Sequence, residues 1–457
     1  MQKFRTPKQS VIAPAATPRL KRCEMDSAPE PRHAHPLRIA NFRAYFVARF
    51  AMTIAQNAMI IVIGWQVYTI AREQMGMSVS GAAAQLGLIG LLQFLPLFLT
   101  TPVSGFVADR FDRRWITRIT VGLQLLCAFI LALATYEGWI SLPILFSVAV
   151  LLGLARAFSG PAFSALAPNL VPREVLPTAI ALSSISWQVG TIIGPAIGGF
   201  AYAHARSGAY WLAVALFGVA LACMSLIGRV AQPPRSAAHP IRQIIDGLRY
   251  VGQNKLVLGT ITLDLFAVFL AGTSALLPIY AHDIFKVGAQ GLSLLAAAPA
   301  VGASVIALIF SIRPLKHNVG PRMLISVLVY GTATILFGIA HLIVPAYAFE
   351  VGVGALAVAG GADMFSVYIR QSLIQLYTPD EMRGRVGAVS QLTISASNEL
   401  GEAESGFLAS MLGPIGAVLV GGGGAIVVTI LWTYLFPSIR RAKTFDPPEP
   451  QKLEAKS

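Results

Sequence analysis

AAAQLGLIGLLQFLPLFLTTPVSGFVADRFDRRWITRITVGLQLLCAFILALAT, residues 82–135, is two long apolar runs separated by a short basic gap. A helix needs roughly 20 predominantly apolar residues to cross a bilayer. Ala82–Ala108 and Trp115–Thr135 both reach that length, and Arg110, Arg113, Arg114 and Arg118 cluster at the gap. The runs are continuous rather than alternating, so they read as helices and not as barrel strands. Similar runs recur along the chain at Tyr45–Ile70, Leu142–Ala167, Pro177–Ala203, Tyr210–Ile227, Leu256–Tyr280, Leu292–Ile312, Met323–His341, Ala346–Tyr377, Val386–Leu412 and Ile415–Leu435. With the opening pair they predict twelve transmembrane helices.

Composition agrees with that reading. Charged residues are 12% of the 457-residue chain and hydrophobic ones 55%, with a mean hydropathy of +0.66. A soluble chain would carry about 25% charged residues, so much of this surface must face lipid. A net charge of +14 in a soluble protein would point to nucleic acid. Here the basic residues fall between apolar runs and read as topology signals and lipid contacts. Cys23, Cys127 and Cys223 form no disulfide framework, and no zinc spacing is present. No phosphate-binding loop of the GxxxxGK[ST] type and no HExxH or GxSxG occurs. The sequence therefore predicts no ATP site, no metal, no cofactor and no enzyme chemistry.

The loops give an orientation. One set carries Arg110, Arg113, Arg114, Arg118, Arg173, Arg313, Lys316, Arg322, Arg383 and Arg385, while the other holds only Arg72, Arg206 and Lys286. The positive-inside rule puts the first set, and both basic tails, in the cytoplasm. Residues 1–40 read as a disordered tail without a signal peptide, and a start at Met25 would lose no predicted helix. Residues 41–228 form the first six-helix half and 256–437 the second. A cytoplasmic linker, 229–255, joins them, and 438–457 is a cytoplasmic tail. In the linker Ile241, Ile244, Ile245 and Leu248 recur at helical spacing, which fits either a short helix on the membrane face or a plain loop.

The halves repeat. VPREVLPTAIALSSISWQVGTIIGPAIGG from Val171 aligns without gaps on TPDEMRGRVGAVSQLTISASNELGEAESG from Thr378, matching Pro172 with Pro379, Glu174 with Glu381, Gly194 with Gly401 and Gly199 with Gly406. Such repeats mark secondary transporters, whose site lies between the halves.

Three motifs carry a resemblance. GFVADRFDRR, Gly105–Arg114, stands between helices 2 and 3; LARAFSG in helix 4 holds Arg156 and Gly160; GTIIGPAIGG in helix 5 holds Gly190, Gly194, Pro195, Gly198 and Gly199. In order and place these resemble motifs A, B and C of the major facilitator superfamily. Asp112 stands where many members have Gly, and Ser159 replaces a Gln. GADMFSVYIRQSLIQLYTPDEMRGRVGA and SNELGEAESG are similar to stretches in the branch that contains the enterobactin exporters and macrolide efflux proteins. The resemblance implies an all-α fold with twelve transmembrane helices in two six-helix pseudo-repeat halves. It implies a latch at Asp109 with Arg110, Arg113 and Arg114, close packing at Gly105, and an exporter's helix packing at motif C. The arginines also serve as plain topology anchors.

Buried acids concentrate in the second half: Asp264 in helix 7, Asp363 beside Arg370 in helix 10, and Glu399, Glu402 and Glu404 in helix 11. Glu399 and Glu402 share a helix face. Asp264, Glu399 and Glu402 are candidate proton carriers, and the alternative is fixed pairing with Arg156 or Arg370. Asn57, Arg156, Asp264 and Asp363 are candidate cavity liners; the amides Gln56 and Gln93 either line that space or bond across helices. The expected function is proton-driven export of a siderophore, drug or metabolite by a monomer in a bacterial cytoplasmic membrane. An importer or uniporter on the same fold, or a non-transport scaffold of a secretion assembly, are the alternatives. Small-molecule substrate, protons and membrane lipid are the expected partners.

Overall fold

A computed structural model describes residues 35–228 and 240–445. The readings placed on the first tail, on Cys23, Arg229 and Arg235, and on the end of the last tail lie outside the described residues. Within them, every regular element is helical. The first six long helices are α1 (Ala40–Thr69), α2 (Val79–Arg110), α3 (Arg113–Tyr136), α4 (Leu142–Leu166), α5 (Leu176–His204) and α6 (Gly208–Leu226). A linker helix, Pro240–Gln253, follows. Then come α7 (Lys255–Leu270), α8 (Gly288–Ile312), α9 (Val319–Ile343) and α10 (Ala348–Tyr377).

The last long helix, Asp380–Leu435, is broken at Gly413, whose φ of 77° only glycine adopts readily. A Cβ on Gly401 would lie 2.9 Å from the Phe269 carbonyl oxygen, and one on Gly421 would lie 2.4 Å from that of Leu270. On a straight helix these two glycines would be about 30 Å apart, at 1.5 Å per residue. The chain therefore doubles back at Gly413 into α11 (380–412) and α12 (414–435). Among the described residues, eleven helical stretches are long and apolar enough to cross a membrane, and this reversal makes the last of them two crossings.

Lipid is the solvent for the outer surface. Leu226, Ile312, Met411 and Tyr434 are 76%, 71%, 80% and 72% exposed, a state an aqueous surface would not offer large apolar side chains in such numbers. The internal repeat is equally visible. Gly194 on α5 meets α1 at Ile54 and Asn57, and its counterpart Gly401 on α11 meets α7 at Val268 and Phe269. Gly199 meets α8 at Ser293, and its counterpart Gly406 meets α2 at Gly87. The crossings end alike too. α1 runs into a π-turn, Ile70–Gln74, and the α7 segment ends in another, Tyr280–Ile284. A left-handed residue closes each, Gly76 at φ 64° and Lys286 at φ 55°.

Two boundaries differ from the sequence reading, and in the linker one of its two alternatives is seen. α1 starts at Ala40 rather than Tyr45, because Phe42 and Tyr45 are both fully buried in the bundle. The linker does form a helix: Gly247 packs on the Arg385 carbonyl of α11 and Asp246 pairs with Arg385 at 3.1 Å, while Ile245 and Leu248 stay more than half exposed. After α12 the turn Pro437–Arg441 packs into the bundle with Ile439 fully buried, and Gly320 N–H donates to the Ala442 carbonyl at 2.9 Å. The linker helix, this turn and the start of α1 share one end of the bundle, the linker end; the π-turns lie at the far end.

Candidate functional site

Glycine contacts set the site. A Cβ on Gly153 of α4 would lie 2.3 Å from the Gln93 carbonyl oxygen of α2. Cβ atoms on Gly87 and Gly90 of α2 would lie 2.9 Å from the Phe407 N and 3.2 Å from the Ala403 N of α11. Bare backbone lets helices approach this closely, and three helices from both halves thereby converge on one level. At that level Arg156 of α4 pairs with Glu399 of α11, Nη2 to Oε1 at 2.7 Å. Arg156 Nη1 also donates to Gln93 Oε1 at 3.4 Å. The Glu399 side chain is 8% exposed and that of Arg156 33%, so the guanidinium is the accessible partner. Glu402 lies one turn further along α11, on the Glu399 face, with its backbone against Gly90. A charged side chain inside a bilayer is costly and needs such a partner.

The second charged set belongs to one half. Asp264 of α7 and Arg370 of α10 form an ion pair with side chains only 7% and 3% exposed. Asp363, two turns before Arg370, lines a small cleft with Asp264, Tyr330 and Ser366. The Tyr330 hydroxyl donates to the Ala271 carbonyl at 3.1 Å, fixing α9 against the end of α7.

Asn57 is not part of either set. Its amide donates to the Thr53 carbonyl at 2.9 Å, and its Cβ packs against Gly194. Gln56 bonds across helices to Gln124 of α3 at 2.6 Å. The motif C glycines form a seam: Gly190 meets Thr53, Gly194 meets Asn57, and Gly198 meets Ala58, all on α1, while Gly199 meets Ser293 of α8. Pro195 is buried within α5. Gly160 is exposed, and a Cβ there would meet nothing within 4 Å.

In the motif A segment Gly105 and Asp109 lie in the last turns of α2, which Arg110 ends. Asp112 has a defined role. Its Oδ1 accepts from Arg114 N–H at 3.0 Å and caps α3, and its Oδ2 pairs with Arg114 Nη2 at 2.5 Å. The Arg114 hydrogen bonds hold the Asp112 carboxyl below the ordinary carboxylate range. Arg118 reaches the carbonyls of Met224, Ser225 and Ile227 at 3.1–3.2 Å, and so satisfies the end of α6.

A third cluster, unforeseen in the sequence, ties the halves at the far end. Arg72, from the π-turn after α1, pairs with Asp283 at 3.1 Å and donates to the Met77 carbonyl at 2.7 Å. The Tyr68 hydroxyl also donates to Asp283. His282 Nε2 lies 3.1 Å from Glu73, with its ring 5.6 Å from both Trp65 and Tyr68. The signal was faint: AREQMG and AHDIFK each end a span, where polar residues are ordinary.

Two repeated six-helix bundles that meet through glycine seams, with ionisable side chains paired inside the membrane, have the build of a transporter of the major facilitator class. A family model described as "Transmembrane secretion effector" matches residues 33–452. The chain belongs to that family. It is a multi-pass membrane transporter and not an enzyme. It is 27% identical over 420 residues to the Enterobactin exporter EntS of Escherichia coli O1:K1 / APEC, covering 89% of this chain and 94% of that one. The Enterobactin exporter EntS of Citrobacter koseri is 27% identical over 423 residues, covering 90% and 94%. In structure the chain is similar to the nucleoside transporter NupG (TM-score 0.69, 13% identity, 87% of this chain and 99% of that one). It is similar also to a D-xylose-proton symporter (TM-score 0.67, 13% identity, 88% and 99%). At these identities the structural likeness speaks for the fold alone.

Proposed function

We propose that the protein exports a small organic molecule from the bacterial cytoplasm by alternating access, driven by proton entry. The observation that carries the reading is the Arg156–Glu399 pair with Glu402 beside it. One cation facing two carboxylates leaves one negative charge uncompensated when all are ionised, and a single proton removes it. In a medium that penalises net charge, protonation and the making or breaking of a pair between the halves become one event. Asp264, Asp363 and Arg370 repeat the same stoichiometry within the second half and form a second candidate store. The far-end cluster supports a carrier whose halves are joined on that side and part on the other. The arginine-rich linker end supports an orientation with that end, and both termini, in the cytoplasm.

Enterobactin, named for the relatives, is the first cargo to assay. Everted vesicles with an acidic lumen would be given the compound while a pH-sensitive dye reports the gradient. Cargo entry is expected to dissipate the gradient, and Glu399→Gln and Glu402→Gln are each expected to cut the rate at least tenfold. Full dissipation by Glu399→Gln, Glu402→Gln and Asp264→Asn alike would remove the coupling assignment.

A further inference from the structure

A cleft of about 850 Å³ opens at the linker end, between the end of the linker helix, the start of α7 and the turn after α12. It takes no part in the route described above. Lys255, Arg441 and Lys443 line it, and no carboxylate does. None of these three cations has an ion-pair partner among the described residues. Ser438 and Thr444 add hydroxyls to the same wall. The Ser438 Oγ is shielded from solvent and makes no hydrogen bond, and a buried polar atom without a partner marks a place for one. Leu256 and Ala442 supply apolar wall.

The cleft is built rather than incidental. Gly259 of α7 accepts the ring of Phe436 at 2.8 Å from where a Cβ would stand. Gly320 accepts the Ile439 carbonyl at 1.7 Å from its own Cβ position. These two glycines seat the turn that carries Ser438 and Arg441. The level is that of a membrane boundary, because Lys255 is the first residue of a crossing helix. Tyr250 and Tyr377 line it, as aromatic residues do at the headgroup layer.

We infer that this cleft binds the phosphate of an anionic phospholipid, with Lys255, Arg441 and Lys443 around the charge and Ser438 donating to a phosphate oxygen. Cations close to a leaflet surface attract anionic headgroups, and phosphate oxygens take charge-assisted hydrogen bonds. The apolar wall and the boundary position favour a lipid over a free anion. Occupancy would join the linker helix, α7 and the chain end, so it would brace the second half.

Full-length protein in detergent micelles would be titrated with phosphatidylglycerol or phosphatidylcholine, and bound lipid counted by native mass spectrometry. Wild type is expected to retain phosphatidylglycerol at least fivefold better than phosphatidylcholine. The triple variant Lys255→Gln/Arg441→Gln/Lys443→Gln is expected to lose that preference. A control with the same change of charge, Arg43→Gln/Arg313→Gln/Lys316→Gln, is expected to keep it. Equal retention by both triple variants, or no preference in wild type, would overturn the site. Displacement of the lipid by inorganic phosphate at the lipid's own concentration would overturn the lipid as its source. Ser438→Ala alone, which removes one oxygen and no charge, is expected to lower retention about twofold; no change would remove its role.

Discussion

Arg370 and Asp264 show what a membrane interior asks of a charge. Both side chains are almost fully buried and each is the other's ion-pair partner. Removing one partner of a buried pair costs about 3–5 kcal/mol, chiefly because the other charge stays behind uncompensated. Arg370→Gln is therefore expected to lower the thermal midpoint in detergent markedly. Asp264→Asn/Arg370→Gln is expected to recover most of the loss; a double variant no more stable than the single one would contradict this account. The charges themselves were plain in the sequence, since Arg156, Asp264, Asp363, Arg370, Glu399 and Glu402 interrupt apolar runs. Their pairing was not, because partners such as Arg156 and Glu399 meet across helices far apart in the chain. The alternative reading of these acids, fixed pairing with Arg156 or Arg370, left open which acid meets which arginine. Asn57, a candidate cavity liner, bonds to the Thr53 carbonyl of its own helix and packs on Gly194; helical spacing tells which residues share a face but not what the face meets. Tyr68, Glu73, His282 and Asp283 escaped notice because polar groups at span ends carry no burial signal.

At the scale of the element, α5 shows how a helix is placed by what it lacks. Gly190, Gly194 and Gly198 recur every four residues, one stripe of a helix, and all three touch α1. A Cβ on Gly194 would stand 2.7 Å from the Asn57 Cβ and 2.8 Å from the Ile54 carbonyl oxygen. Gly194→Val is expected to force α1 and α5 apart at a cost of roughly 1–3 kcal/mol, the usual penalty for overpacking, and to reduce transport. Gly160→Ala, with open space around it, is expected to leave both unchanged. Thermal unfolding and cargo flux on the two variants separate packing from mere glycine content. The twelve crossings and the repeat were legible because lipid imposes length and hydropathy on every span. Helix ends were less so. The start of α1 at Ala40, the packed turn Pro437–Arg441 and the linker helix depend on tertiary contacts through Phe42, Ile439 and Gly247, which hydropathy does not encode.

For the whole molecule the decisive asymmetry lies between the two ends. Far-end contacts run from α1 to the end of the α7 segment, so they cross from one half to the other. Asp283 accepts from both Tyr68 and Arg72. Asp283→Ala is expected to weaken that junction and shift the population toward a form open at the far end. Spin labels at Glu137 and Tyr347, exposed positions on far-end loops of opposite halves, would report it as longer and broader distances by pulsed electron resonance. Identical distributions in variant and parent would show that the cluster does not hold the halves.

Between the bundles Gly87 lies backbone to backbone on Gly406, and Gly199 admits the Ser293 side chain. At these points the two bundles approach without a bulky side chain between them. A handful of polar bonds at one rim and in the middle also tie the halves together. On the proposed cycle, a proton gained or a bond exchanged at those few points is what would tilt one bundle against the other.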